Sequence, residues 1–197
     1  MMSLWRAIRI LSFAVGSTVL AACSEKLPPL HGVVFDPADA APPLRIARVN
    51  GTPFDLAAEK GHVVLLYFGY THCPDICPAT LSDWAKAKRT LGKRAEQVRF
   101  VFVSVDPERD TPAVSAAYTT QFDSTFIGLT ATVADLATLA GNWHFAVMKE
   151  ETGTANGYGM SHPAQSYVID REGRVQMLFP PATRADDIAS DLRHFIK

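Results

Sequence analysis

The sequence predicts an α/β sandwich with a mixed central sheet that is antiparallel at one end. Two apolar runs, Val63 to Phe68 and Val98 to Val105, have the length and character of strands buried on both faces. A segment with helical spacing follows each run, which is typical of parallel strands joined by helices. Near the carboxyl terminus, Ser166 to Asp170 and Arg174 to Phe179 flank a glycine turn and predict an antiparallel hairpin.

Length and composition favour one compact domain, which we predict over residues 44–197. The chain has 197 residues, of which 48% are hydrophobic, enough to bury a core without disulfide staples. The formal net charge is −1 and no block of like charge stands out. Nucleic-acid binding calls for a clustered basic face, so the composition argues against nucleic acid as a partner.

Residues 1–22 have the pattern of a secretory signal peptide. Arg6 and Arg9 lie in the first ten residues without an acidic residue, and residues 11–22 are apolar or small. This stretch is shorter than the roughly 20 apolar residues that favour a spanning helix. The tetrapeptide at 20–23, Leu-Ala-Ala-Cys, resembles a bacterial lipoprotein box, which implies that Cys23 is lipidated and becomes the first mature residue. Ordinary cleavage with an unmodified Cys23, or an uncleaved anchor, is the alternative.

Residues 23–43 are rich in proline and alanine, and we predict a tether between lipid and domain. The expected location is therefore the bacterial cell envelope, with the domain lipid-anchored and facing the periplasm.

The remaining elements follow from local signals along the domain. Alternation from Leu44 to Val49, the turn Asn50-Gly51 and the segment Phe54 to Leu56 predict an N-terminal hairpin extension. Apolar residues from Leu81 to Leu91 predict a helix that ends at Gly92. The later elements are a helix capped by Thr111 with Pro112 at its first position, a strand over 126–129, a helix capped by Thr132, and a final helix capped by Thr183 with Asp186.

Cys73 and Cys77 lie between the first buried strand and the helix that follows it. In a secreted protein a disulfide between them is permitted. A structural staple here would close a five-residue loop and stabilise the fold by roughly 2 kcal/mol, against about 4.7 kcal/mol for a loop of 100 residues. Strand-to-helix turns are also where α/β sheets place their reaction and ligand sites. We therefore interpret the pair as functional.

The residues around the pair promote thiolates but leave two functions open. Pro78 predicts that Cys77 is the N-cap of the helix, because a residue that precedes proline avoids helical angles. A helix N-terminus favours anions and lowers thiol pKa values. Thiolates serve either disulfide exchange or the binding of a soft metal, and the pair alone does not decide between them.

Three motifs, in order, resemble the Sco (SenC) family of copper proteins over about residues 44–197. The first is Gly-Tyr-Thr-His-Cys-Pro-Asp-Ile-Cys-Pro at 69–78, and the second is Val-Ser-Val-Asp-Pro-Glu-Arg-Asp-Thr-Pro at 103–112. The third is His162, followed by a Tyr-Val-Ile-Asp strand at 167–170 and a glycine turn. The resemblance implies a thioredoxin-like fold and one copper ion per chain, bound by Cys73, Cys77 and His162. Two thiolates and one imidazole suit copper(I).

The third motif departs from the family pattern on both sides of the histidine. Ser161 and Pro163 stand where the family usually has Asp and then Ser or Thr, which leaves the hydrogen-bonded support of His162 open. Nearby glycines predict a loop able to move onto the cysteines. Met160 is a candidate soft auxiliary ligand, with loop packing as the alternative.

Other polar residues near the motifs have weaker signals. His72 adjoins Cys73 and is either a residue that tunes its pKa or a turn residue. We expect Asp75 on the loop surface and Asp106 near the cysteine loop. Arg109 and Asp110 are expected to brace their own loop with an ion pair.

The resemblance implies a non-enzymatic metallochaperone that delivers copper to the binuclear copper centre of cytochrome c oxidase. The implied partners are the copper-bearing oxidase subunit, other periplasmic copper chaperones and thioredoxin-like reductants that keep the thiols reduced.

The alternative is a thiol–disulfide oxidoreductase in which Cys73 and Cys77 form a redox-active pair that reduces the cysteines of the oxidase copper site. Thioredoxin-type reductases have two residues between their cysteines, not three, and do not need His162. A peroxiredoxin-type peroxidase would have Thr three residues before its cysteine, whereas Thr71 is two before Cys73.

Overall fold

The computed structural model describes residues 28–151 and 157–196, which form an α/β sandwich. The predicted signal peptide, Cys23 and the first residues of the predicted tether lie outside these ranges. The elements in chain order are β1 (Val33–Ala40), β2 (Arg45–Ala47), β3 (Pro53–Asp55), β4 (Val63–Gly69), α1 (Ile76–Leu91), β5 (Val98–Ser104), α2 (Pro112–Thr120), β6 (Ile127–Thr130), α3 (Val133–Asn142), β7 (Met148–Glu151), β8 (Tyr158–Ser161), β9 (Ser166–Ile169), β10 (Arg174–Phe179) and α4 (Ala185–Leu192).

The main sheet is mixed and has the strand order β1-β10-β9-β4-β5-β6. Strands β4, β5 and β6 are parallel, and β9, β10 and β1 add antiparallel pairs on the other side of β4. The predicted sandwich, with its antiparallel end at the hairpin after Ser166, is therefore confirmed. The predicted N-terminal hairpin is also present, as the separate antiparallel pair β2–β3.

Strand β4 is the centre of the fold and is buried along its whole length. Successive side chains of a strand point to opposite faces, and here they enter two hydrophobic cores. Val63, Leu65 and Tyr67 pack into the core that contains α1 and α4. Their neighbours Val64, Leu66 and Phe68 pack into the core that contains α3 and the β2–β3 hairpin. This double burial explains the uninterrupted apolar run in the sequence.

Of the three predicted threonine caps, two are confirmed and one is wrong. The Thr111 and Thr132 hydroxyls accept the Val114 and Asp135 amides at the starts of α2 and α3. Helix α4 instead begins after Arg184, whose side chain caps nothing. The Thr183 hydroxyl donates to the Pro180 carbonyl, 2.7 Å away, so it is used in the preceding turn.

The sheet extends into the predicted tether. Strand β1, which lies within residues 23–43, pairs antiparallel with β10 from Val33 opposite Leu178 to Ala40 opposite Arg174. Its apolar side chains at 33–35 remain exposed, so this strand is held mainly by backbone hydrogen bonds to the edge of β10. The main sheet therefore includes residues that precede the predicted boundary at residue 44. Within the described ranges, the helices lack the length and apolar character needed to cross a bilayer.

Candidate metal centre

Both cysteines lie at the carboxyl end of β4, where the chain turns into α1. Cys77 is fully buried, and Cys73 is 9% exposed in the loop above it. The Cys77 amide donates to Cys73 Sγ at 3.4 Å, and the Cys73 amide donates to the Tyr70 carbonyl at 3.3 Å. The loop is therefore folded back so that one sulfur sits over the first turn of the helix.

The prediction that Cys77 is the N-cap of this helix is wrong, because Asp75 holds that position. Helix α1 starts at Ile76, so Cys77 is its second residue and Pro78 its third. The first amides of a helix have no acceptor within the helix, so a proline is tolerated there. Cys77 is still within the first turn, where the helix dipole favours a thiolate.

His162 reaches the cysteines from a separate hairpin. It follows β8 directly, and β8 pairs antiparallel with β7 in a two-stranded sheet. Sequence reasoning placed His162 in a loop and missed this hairpin. The His162 Nε2 atom lies 3.6 Å from Cys77 Sγ.

The hydrogen-bonded support of His162, left open by Ser161 and Pro163, comes from the backbone. Its Nδ1 atom lies 3.0 Å from the carbonyl oxygen of Pro163. A carbonyl can only accept, so Nδ1 carries the proton and Nε2 keeps a free lone pair directed to the sulfurs. The tautomer is the one that a metal-ligating imidazole needs.

The three predicted ligands come together. One donor atom from each of Cys73, Cys77 and His162 lies within 4.8 Å of the other two. It is the only group of three or more His, Cys, Asp or Glu side chains with this spacing in ranges 28–151 and 157–196. Both cysteines are free thiols in the structure, so the predicted disulfide between them stays a prediction for the oxidised protein.

The two thiols have opposite pKa shifts because they share one proton. The hydrogen bond with Cys77 is the largest cause that lowers the pKa of Cys73, to about 3. The same hydrogen bond, together with burial, raises the pKa of Cys77. At neutral pH the metal-free pair is therefore a Cys73 thiolate beside a Cys77 thiol.

Buried aromatic groups close the site on its inner side. The Tyr67 hydroxyl lies 3.5 Å from Cys77 Sγ, and its ring packs edge-on to the His162 ring with centroids 5.8 Å apart. The Tyr70 ring also packs edge-on to this imidazole, with centroids 5.6 Å apart. Gly69 is needed because a Cβ there would lie 2.9 Å from Cys77 Sγ. The inner side of the site is consequently closely packed around Cys77.

Arg109 and Asp110 form no ion pair with each other, so the expected bracing differs in detail. Arg109 pairs with Asp106, while the fully buried Asp110 accepts from the Thr71 amide and hydroxyl at 2.8 and 2.6 Å. Sequence reasoning missed that these residues contact other segments, because nothing in their spacing identifies the partners.

The remaining candidates lie outside the cluster. His72 is half exposed and lies 3.5 Å from Asp110, on the outer side of the loop. Asp75 is exposed, as expected. Met160 is buried in the same core as the cysteines, which agrees with packing; an auxiliary ligand role stays a prediction.

Comparisons with known proteins agree with the three motifs. The SCO1/SenC family model matches residues 36–197. A SCO2-like protein of Rickettsia prowazekii is 31% identical over 182 residues, covering 88% of this chain and 88% of the relative. The solved structure of Bradyrhizobium japonicum ScoI with copper bound is 36% identical, covers 79% of this chain and 99% of its own, and has a TM-score of 0.71. Apo Sco1 of Thermus thermophilus is 32% identical, with 84% and 96% coverage and a TM-score of 0.75.

Proposed function

The chain belongs to the SCO1/SenC family and has its thioredoxin-like fold, and we propose that it is a copper metallochaperone for cytochrome c oxidase assembly. The observation that carries the proposal is the convergence of Cys73, Cys77 and His162, with their donor atoms within 4.8 Å of one another. The similar ScoI of Bradyrhizobium japonicum has been solved with copper bound, which supports copper as the metal.

The donor set suits copper(I) as cargo, one ion per chain. Two sulfurs and one imidazole nitrogen are soft or borderline ligands, and a three-ligand set matches the low coordination number that copper(I) accepts. Binding would displace the proton shared by the two thiols, so affinity should rise with pH. Because Cys73 retains 9% exposure while Cys77 has none, an acceptor protein would approach from the Cys73 side.

The location that fits this role is the periplasmic face of a membrane, held by a lipid on Cys23. The support is the sequence pattern of residues 1–23 and the short Pro-rich stretch before β1. The acceptor would be the copper-bearing subunit of the oxidase, with other periplasmic copper chaperones upstream. Mass spectrometry of the mature chain should find a lipidated Cys23; an unmodified thiol there would contradict the anchor.

The thiol chemistry also favours a second candidate, a thiol–disulfide oxidoreductase. A Cys73 thiolate next to the Cys77 thiol could reduce a partner disulfide. Cys73 attacks one sulfur of that disulfide to form a mixed disulfide, and Cys77 then attacks Cys73, which leaves a Cys73–Cys77 disulfide in the chain and two thiols in the partner. The directed imidazole of His162 favours metal binding over exchange, because exchange does not need it.

One preparation of the reduced chain separates the two functions. We expect one copper(I) bound per chain, with tight affinity, and little reduction of a disulfide-bonded peptide from an oxidase copper site. In cells without the gene, added copper should restore oxidase activity. Rapid peptide reduction without stoichiometric copper binding would instead support the oxidoreductase.

A further inference from the structure

The loop after β5, residues 105–111, touches both halves of the site through two adjacent residues. Asp110 accepts hydrogen bonds from Thr71, two residues before Cys73, and from the Ser104 hydroxyl at the end of β5. A fully buried carboxylate is stable only when its oxygens are paired, and these donors pair it. Asp110 therefore fixes the cysteine loop to the end of the central sheet.

The preceding residue, Arg109, contacts the histidine hairpin. Its Nη1 donates to the Tyr158 carbonyl at 2.9 Å, and its guanidinium carbon lies 3.7 Å from the centroid of the Tyr158 ring. The Tyr158 hydroxyl donates to Asp106 at 2.8 Å, and Asp106 pairs with Arg109. Tyr158 is the first residue of β8, the strand that leads directly into His162.

Arg109 also lies next to the cysteine half. Its guanidinium carbon is 5.7 Å from the Tyr70 ring, and the Tyr70 ring packs edge-on to His162. The cation thus lies between an aromatic ring of the cysteine loop and one of the hairpin. Attraction between a guanidinium and the faces of two rings draws the two segments together.

We propose that Arg109 is a positioning residue that sets the distance between His162 and the two cysteines, using Asp106 and Tyr158 as its partners. This inference rests on the proposed copper function. The hairpin needs such a contact because β7 and β8 pair with each other and, within the described ranges, not with the main sheet. Without Arg109 the hairpin would keep its own pairing while His162 sampled a wider range of distances from the sulfurs.

The chain contains a matched control for this arrangement. Glu108 binds Lys149 of β7 and so also joins the loop to the hairpin, but both side chains are about half exposed. Solvent screens such exposed pairs and they contribute little. Glu108→Gln therefore removes an ion pair between the same two segments without removing the partly buried contacts of Arg109.

The test uses the full chain with Arg109→Met, Tyr158→Phe and Glu108→Gln. In metal-free protein, NMR contacts between the His162 ring and the rings of Tyr67 and Tyr70 should be lost in Arg109→Met and weakened in Tyr158→Phe. In the copper(II)-loaded protein, the histidine nitrogen splitting in the electron paramagnetic resonance spectrum should weaken in the same order. Copper affinity of Arg109→Met should fall roughly 10- to 100-fold, the usual effect of removing an outer contact. Glu108→Gln should match the unchanged chain.

Wild-type ring contacts and wild-type nitrogen splitting in a folded Arg109→Met variant would overturn the proposal. If Arg109→Met fails to fold, the same measurements on Tyr158→Phe test the proposal, because this substitution keeps the ring and removes only the hydrogen bond to Asp106. Failure of the unchanged chain to bind copper would refute the copper function alone, since the metal-free ring contacts still test positioning.

Discussion

The two halves of the metal site are built in opposite ways. The cysteine half follows β4, all seven residues of which are buried between two neighbouring strands, and continues into α1, where Leu81 and Trp84 are buried. The histidine half follows a two-stranded hairpin in which every residue of β7 is exposed. The cysteine half is part of the core, whereas the two strands of the histidine hairpin place one buried residue in it, Met160.

This difference suggests that the two halves have different roles in the binding and release of copper. Segments with few buried contacts open at lower free-energy cost than core segments. The sulfurs should therefore stay in place whether or not copper is bound, while His162 is the ligand that approaches and leaves. The proposed chaperone function requires release of the copper, and a ligand on a weakly held hairpin would lower the barrier to that release.

The largest effect should come from the rigid half. Cys73→Ser and Cys77→Ser each remove a soft sulfur, and a hydroxyl is a poor ligand for copper(I). Each should weaken copper(I) binding by more than the roughly 10- to 100-fold range typical of outer contacts. Competition with a chromogenic copper(I) chelator measures this loss. Tight binding by both variants would show that the cysteines are not ligands.

A smaller effect should follow from removing the ligand of the weakly held half. His162→Ala leaves both sulfurs in place, so copper(I) should still bind, more weakly and with faster release to a chelator. Folding should change by less than about 1 kcal/mol, because the residue is only partly buried. His72→Ala is the matched control, since His72 adjoins Cys73 but faces Asp110. Equal release rates for His162→Ala and His72→Ala would remove His162 from the site.

The rigid half is also the half that sequence reasoning predicted well. A continuous apolar run such as Val63 to Phe68 has one simple explanation, burial on both faces, and the structure agrees. The N-terminal hairpin and the caps at Thr111 and Thr132 were predicted equally well, because the residues that indicate each element lie within a few positions of one another. The strand-to-helix turn that holds both cysteines followed from these elements, although Cys77 is the second residue of the helix and not its N-cap.

The other half could not be predicted from local signals. Strand β7, Met-Lys-Glu-Glu, has no alternation and no buried residue, so nothing in it indicates a strand. Strand β1 was missed for a similar reason: it pairs with β10, more than 130 residues away, and its apolar side chains stay exposed. Asp110 and Arg109 contact segments about 39 and 49 positions away. Such partners are fixed by the folded sheet.

The smallest predicted effect concerns Tyr67, which contacts both halves. Its hydroxyl lies 3.5 Å from Cys77 Sγ and its ring packs against His162. Tyr67→Phe keeps the ring and removes the hydroxyl, and the loss of its hydrogen bond to Cys77 is a net change of about 0.5–1.5 kcal/mol. A hydroxyl that donates to a thiolate withdraws charge from it, so its loss should shift the sulfur-to-copper(II) charge-transfer band to lower energy and change copper affinity by less than about tenfold.

Tyr118→Phe is the control, because the buried Tyr118 hydroxyl has no hydrogen-bond partner among the described residues. If both variants shift the band equally, the shift reflects general packing. If only Tyr67→Phe shifts the band, the Tyr67 hydroxyl acts on the sulfur of Cys77 in the rigid half. The ring, which Tyr67→Phe retains, then continues to support His162 in the other half.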